Sequence, residues 1–183
     1  MKGYIKPVLS LTIICLVTGL ILSAVNLLTE ARIADNLSDA EKRAVAEVFG
    51  DSLGSYLPVE EVPDSVNKVY RVTDPSGELA GYCVSVSPNG FGGNIDMVVG
   101  ISPEGTLIGV AITALSETPG LGSRVADPEY LAGYAGLSGI PALGRDIDAI
   151  SGATISSRSV LRGVTDAIEA VRSMELSKDG GLS

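Results

Sequence analysis

Apolar and polar residues change rhythm several times along this chain. From Pro7 to Leu28 there is no charged residue and Leu, Ile and Val dominate. At the helical rise the segment reaches about 33 Å, enough to cross a hydrocarbon core, and it predicts one N-terminal transmembrane helix. A cleaved signal peptide would have a shorter apolar region and a clean small-x-small site, which the residues around Ser23 and Ala24 lack. Ser38-Asp39-Ala40-Glu41 has capping-box spacing, and Gly50 is placed to end the helix that starts there, with Ala44, Val45, Val48 and Phe49 as its buried stripe. From Tyr56 to Asp64 prolines and acids predict an exposed connector.

The period then changes to two. Val66–Thr73 and Leu79–Ser87 alternate around the turn Asp74-Pro75-Ser76-Gly77, and Ile95–Ile101 and Leu107–Ala114 flank a second turn at Pro103-Glu104-Gly105. The glycine-rich loop Pro88-Asn89-Gly90-Phe91-Gly92-Gly93 separates the two pairs. Four strands joined by short turns predict a largely antiparallel sheet. Asp127-Pro128 opens a short helix carrying Tyr130 and Tyr134 one turn apart; the pair suits stacking on a ligand ring, or plain packing. Gly144–Ile150 is expected to run extended. Arg158–Leu176 then places Val160, Leu161, Val164, Ala167, Ile168 and Val171 on one helical face. The expected class is α+β: one transmembrane helix, then a largely antiparallel sheet with packed helices. The expected parts are an anchor over 1–28, a helix and connector over 29–65, the main domain over 66–176 and a frayed tail over 177–183.

Charge narrows the partners. The 183 residues carry a formal net charge of −9, and all 22 acidic residues lie at or after Glu30 while Lys2 and Lys6 precede it. A body that acidic repels nucleic acid. The two N-terminal lysines put the N-terminus in the cytoplasm and the remainder outside, although Arg32, Lys42 and Arg43 make the asymmetry modest. There is no histidine, and the 2 cysteines are too few for a structural zinc or iron–sulfur site. Cys15 sits in the apolar segment and Cys83 in a predicted strand, which argues against a disulfide between them. Cys15 follows Ile13 and Ile14, too bulky for a lipoprotein signal. Electron chemistry, if the chain performs any, must come from a bound organic cofactor.

One stretch carries candidate chemistry: Asp148-Ala149-Ile150-Ser151-Gly152-Ala153-Thr154, followed by a helix. It sets a hydroxyl beside two tiny residues where a helix N-terminus offers free N–H groups and the positive end of its dipole, a ready phosphate site. Ser156 and Ser157 are placed to cap that helix or add donors, and Arg158 to pair with a phosphate or simply face solvent. Read alone, the stretch also fits an ordinary loop-to-helix junction.

Asp-x-x-Ser-Gly-Ala-Thr resembles the flavinylation motif of the FMN-binding domain family, found in the G subunit of the Rnf ion-translocating electron-transport complex and in the C subunit of the sodium-pumping NADH:quinone oxidoreductase. Glu117-Thr118-Pro119-Gly120-Leu121-Gly122 resembles the family's second signature, a loop that meets the flavin ring, where a rigid Pro-Gly turn exposes backbone N–H and C=O groups. The resemblance implies that Thr154 carries FMN through a phosphoester, installed by a flavin transferase that uses FAD and recognises Asp148, Ser151, Gly152, Ala153 and Thr154. Ser151, Gly152 and Ala153 would line the phosphate end, and Glu117, Thr118, Leu121 and Gly122 would bind the cofactor. It implies an electron relay in the cytoplasmic membrane, not catalytic alone, working beside the other Rnf subunits, including a second flavinylated one. The compact chain favours the Rnf protein over its larger cousin. A flavinylated carrier in another extracytoplasmic chain, or a non-redox membrane scaffold, are the alternatives.

Overall fold

The computed structural model describes residues 11–12, 14–19 and 39–179. Residues 11–12 and 14–19 are helical, but most of the expected span from Pro7 to Leu28 lies outside the described residues, as does Ser38 of the capping box. Among the described residues no helix is long and apolar enough to cross a membrane. The 29–38 part of the expected connector and the end of the tail also lie outside them.

A compact unit runs from Ala40. Its first helix, α1 (39–49), buries Ala44, Val45 and Phe49, with Val48 half-buried, so the stripe read from the sequence is the packing face. Five strands follow: β1 (Ser55–Pro58), β2 (Lys68–Thr73), β3 (Leu79–Val86), β4 (Ile95–Ile101) and β5 (Leu107–Leu115). They form one antiparallel sheet in sequential order, a meander whose registers include Arg71 opposite Tyr82, Val84 opposite Val99 and Val99 opposite Val110. The antiparallel expectation holds for the four strands foreseen. The fifth, β1, falls in the stretch expected to be an exposed connector. Pro58 removes one ladder donor, which only an edge strand tolerates, and β1 is that edge, held by Tyr56 opposite Val72 and by an edge-on Tyr56–Tyr70 ring contact at 5.7 Å.

Each face of the sheet is covered. Val84, Met97, Val99, Ile101 and Val110 pack on one side with the long helix α3 (Thr154–Asp179), through Val160, Val164, Ala167, Ile168 and Val171. On the other side α1 covers Val72, Cys83, Val98 and Ala111. Double coverage explains why β4 is buried almost throughout rather than at alternate positions. Burial also pushes the Cys83 thiol up to about 12, so it behaves as a small apolar side chain.

One polar staple fixes α1 to the sheet. Glu41 Oε1 accepts a hydrogen bond from Ser85 Oγ at 2.9 Å and Oε2 pairs with Lys68 Nζ at 3.0 Å. The hydrogen bond to Glu41 is the main cause holding the Lys68 ammonium above its ordinary range. Its contribution is therefore complete at neutral pH and fades only as pH rises through the raised value. Glu41→Ala leaves the buried Ser85 hydroxyl without its acceptor and is expected to cost about 1–2 kcal/mol, read as a lower urea midpoint at unchanged slope.

A short helix, α2 (Pro128–Ala132), and a 3-10 turn, Gly122–Ala126, lie between β5 and α3. Tyr130 and Tyr134 meet edge-on at 5.9 Å with their hydroxyls 3.3 Å apart. Tyr134 is fully buried in the core below α3, and burial drives its phenol pKa upward, so packing is its role here. Gly144–Ile150 is not one extended run. Gly144 N–H donates to Ile147 O at 2.8 Å, and Ala142 N–H donates to Asp146 Oδ2 at 2.8 Å, so the segment turns before straightening into Asp148. The local side-chain acceptor outcompetes extension there.

Candidate functional site

Helix α3 begins at Thr154, four positions earlier than the apolar stripe alone indicates. Its first turn is polar outside and small inside, so the hydrophobic period is silent there. Ala153 accepts the first helical bond, from Ser157 N–H at 2.9 Å, and Gly152, at φ +80°, turns the incoming loop into the helix axis. Thr154 is thus the first helical residue. By helix geometry the N–H groups of Thr154, Ile155 and Ser156 have no acceptor within their own helix.

Ser156 and Ser157 sit inside the helix and do not cap it. Ser157 Oγ instead accepts from Ile150 N–H at 3.0 Å, drawing the preceding loop back over the first turn. Two residues later the buried Ser159 hydroxyl donates to Asn89 O at 2.5 Å and ties α3 to the glycine-rich loop.

The start of α3 forms one wall of a cleft of about 260 Å³. Gly152, Ala153, Thr154, Ile155 and Ser156 line that wall; Glu117, Thr118, Leu121 and Gly122 line the opposite one, and Phe91 closes the side. The two signature motifs, far apart in sequence, therefore face each other. Thr154 is exposed and open to a modifying enzyme. Asp148 and Ser151 are exposed on the approach loop and do not line the cleft, nor does Arg158, exposed one turn into the helix.

The Pro119-Gly120 turn is less open than its residues suggest. Gly120 N–H donates to Ser123 Oγ at 2.9 Å, and Leu121 N–H to Thr118 O at 3.2 Å. These two groups are spent within the turn. What the turn presents to the cleft is the Leu121 side chain, 46% exposed, which meets Phe91 (72%) and Ile155 (51%) in a common apolar rim. Phe91 and Ile155 were not among the expected site residues. A lone aromatic between glycines and an isoleucine in a helix's first turn look unremarkable until the fold sets them together.

Glu117 is the one ionisable residue of the lining. It is buried (9% exposed), accepts the Phe91 N–H on Oε1 at 2.6 Å, and leaves Oε2 with no hydrogen-bond partner among the described residues. The chemistry fits FMN at both ends of the cleft: helix N–H groups without intrahelical acceptors and a hydroxyl suit a phosphoryl group, while an apolar rim suits a flat heteroaromatic ring.

Known proteins resemble this chain over much of its length. The family model of the FMN-binding domain matches residues 90–169, a span holding most of the glycine-rich loop, both motifs and most of α3. A Methanosarcina acetivorans protein, named as the G subunit of an ion-translocating oxidoreductase complex, is 31% identical over 95% of this chain and 97% of its own length. The chain belongs to this G-subunit family. Another member, from Clostridium ljungdahlii, is named as the G subunit of a proton-translocating ferredoxin:NAD(+) oxidoreductase complex and is 26% identical over 88% of each chain. Among solved structures, the crystal structure of Shewanella oneidensis NqrC is similar at 27% identity, over 59% of this chain and 61% of that one, with a TM-score of 0.47.

Proposed function

We propose that this chain is the flavin-carrying G subunit of an Rnf-type ferredoxin:NAD oxidoreductase complex that couples electron flow to translocation of Na+ or H+, and that it holds its FMN covalently on Thr154. The carrying observation is the cleft itself: an exposed threonine hydroxyl at the mouth of a long helix, opposite the second family signature. FMN, when bound, supplies the electron-accepting and electron-donating chemistry. The protein supplies attachment, orientation and a largely apolar wall. Helix N–H groups at 154–156 and the dipole of α3 would offset the charge left on the phosphoester.

Attachment balances as a transfer from FAD. The Thr154 Oγ1–phosphorus bond forms, the pyrophosphate bond of FAD breaks, AMP leaves, and the hydroxyl proton is released. A flavin transferase would read the Asp148-to-Thr154 loop, where Asp148, Ser151, Gly152 and Thr154 are exposed and accessible to another protein. A covalent link also suits an extracytoplasmic site, because a dissociable cofactor would be lost by dilution. In this reading the 7–28 segment anchors the chain once in the cytoplasmic membrane, N-terminus inside, and the other Rnf subunits, one of them also flavinylated, deliver and remove electrons.

The test is direct. The full chain, co-expressed with a flavin transferase and purified from membranes, should be yellow and should remain so after denaturation, with a mass increased by FMN less water. An unmodified polypeptide from transferase-competent cells would instead favour a non-redox scaffold.

A further inference from the structure

Between Asp148 and Thr154 the chain must turn, and a residue outside that stretch fixes how it turns. Ile150 is held by both of its backbone groups. Its C=O accepts from Ala153 N–H at 2.9 Å, and its N–H donates to Ser157 Oγ at 3.0 Å. Ser157 is fully buried and lines no part of the cleft, so its oxygen grips the loop from behind. Ile150 itself packs half-buried against the main core, which anchors the tie at both ends. The loop so fixed sorts its own residues. Asp148, Ser151, Gly152 and Thr154 are exposed, while Ala153 is buried. Gly152 sits at φ +80°, a conformation that a free chain visits without holding.

We infer that Ser157 is a positioning residue for flavin attachment: by holding Ile150 N–H it presets the acceptor loop in the shape a transferase binds. The inference rests on the proposed attachment at Thr154. It makes the folded loop, rather than the linear run of residues, the substrate of the transferase. A protein that docks on Asp148 and Thr154 together needs the span between them fixed. In an untied loop only a fraction of chains has that span, and the apparent affinity falls by the same fraction. Ser157 has no part in the bond that forms or the bond that breaks. Its effect therefore falls on docking and leaves the transfer step alone.

The measurement is the initial rate at which purified flavin transferase loads FMN from FAD onto the full chain, against chain concentration. Ser157→Ala removes the acceptor and suits the helix at least as well as serine, so the loss falls on the tie. The net worth of one such hydrogen bond corresponds to about a tenfold shift in an equilibrium. KM for the chain should therefore rise about tenfold at unchanged kcat. Glu41→Ala loses its bond on the opposite face of the sheet, so it controls for stability alone and should leave KM near wild type. In the wild-type chain the Ile150 amide should exchange as slowly as the amides of α3, and Ser157→Ala should remove that protection. Should Ser157→Ala fold poorly, the wild-type exchange decides: an Ile150 amide as fast as an open loop overturns the inference. So does an unchanged KM in Ser157→Ala, a lower kcat at unchanged KM, or an equal rise in Glu41→Ala. A wild-type chain that accepts no flavin at all overturns the proposed function instead.

Discussion

Thr154→Ala should yield a colourless polypeptide, with its mass unshifted, from cells in which the wild-type chain comes out yellow. The loss is expected to be complete because the variant removes the atom through which the proposed phosphoester would form. Folding should be unaffected. Thr154 is exposed, the first backbone bond of α3 runs from Ser157 N–H to Ala153 O, and alanine is the better helix former. The change in stability should stay within about 0.5 kcal/mol, as for other surface positions. Thr154→Ser keeps a hydroxyl at the same place and should retain covalent flavin, at lower yield. Denaturing the samples before reading absorbance separates tethered cofactor from any bound by contact alone. Persistent covalent colour in Thr154→Ala would move the attachment to another residue.

How much of this was legible beforehand depended on which signal each residue gives. The sheet announced itself through period-two runs, and β4 is found at the boundaries its apolar run marked. β1 did not, because Ser55-Tyr56-Leu57-Pro58 is too short to show a period and carries a proline that only its edge position excuses. The end of α1 was marked by Gly50, whereas the start of α3 was hidden behind serines, residues that favour caps as readily as helices.

The site divides in the same way. Its two motifs could be found as strings, but their meeting across one cleft is a product of the meander and of α3 crossing it. Phe91 belongs to a glycine loop that reads as a plain turn. Its reason lies in packing: a Cβ at Gly92 would strike Ser116 O, so the loop can lie along the chain leading into Glu117 only because it lacks side chains. The partnerless oxygen of Glu117 is a fact of three dimensions, and no spacing could have announced it.

The largest loss of stability is expected not at the cleft but beneath it, at Gly163. This residue lies on the buried face of α3, and a Cβ there would collide with the end of Met97 and come within 2.9 Å of Pro88 Cγ and 3.1 Å of Val86 Cγ2. The methionine tip can swing aside; the proline ring cannot, since it precedes Asn89, whose carbonyl is held by Ser159. Gly163→Ala sets a gain in helix propensity of about 1 kcal/mol against this crowding and should be mildly destabilising. Gly163→Leu adds far more volume to a closed interface and is expected to cost about 3 kcal/mol, enough to lower the urea midpoint sharply. The same displacement would lift the first turn of α3 from the glycine-rich loop, and flavinylation at Thr154 should fall with it. Arg162→Leu, one position away on the exposed face, controls for the added side chain and should leave both readings near wild type. An unchanged midpoint in Gly163→Leu would mean that α3 is not pressed against the sheet at this point, and that the cleft does not depend on that contact for its shape.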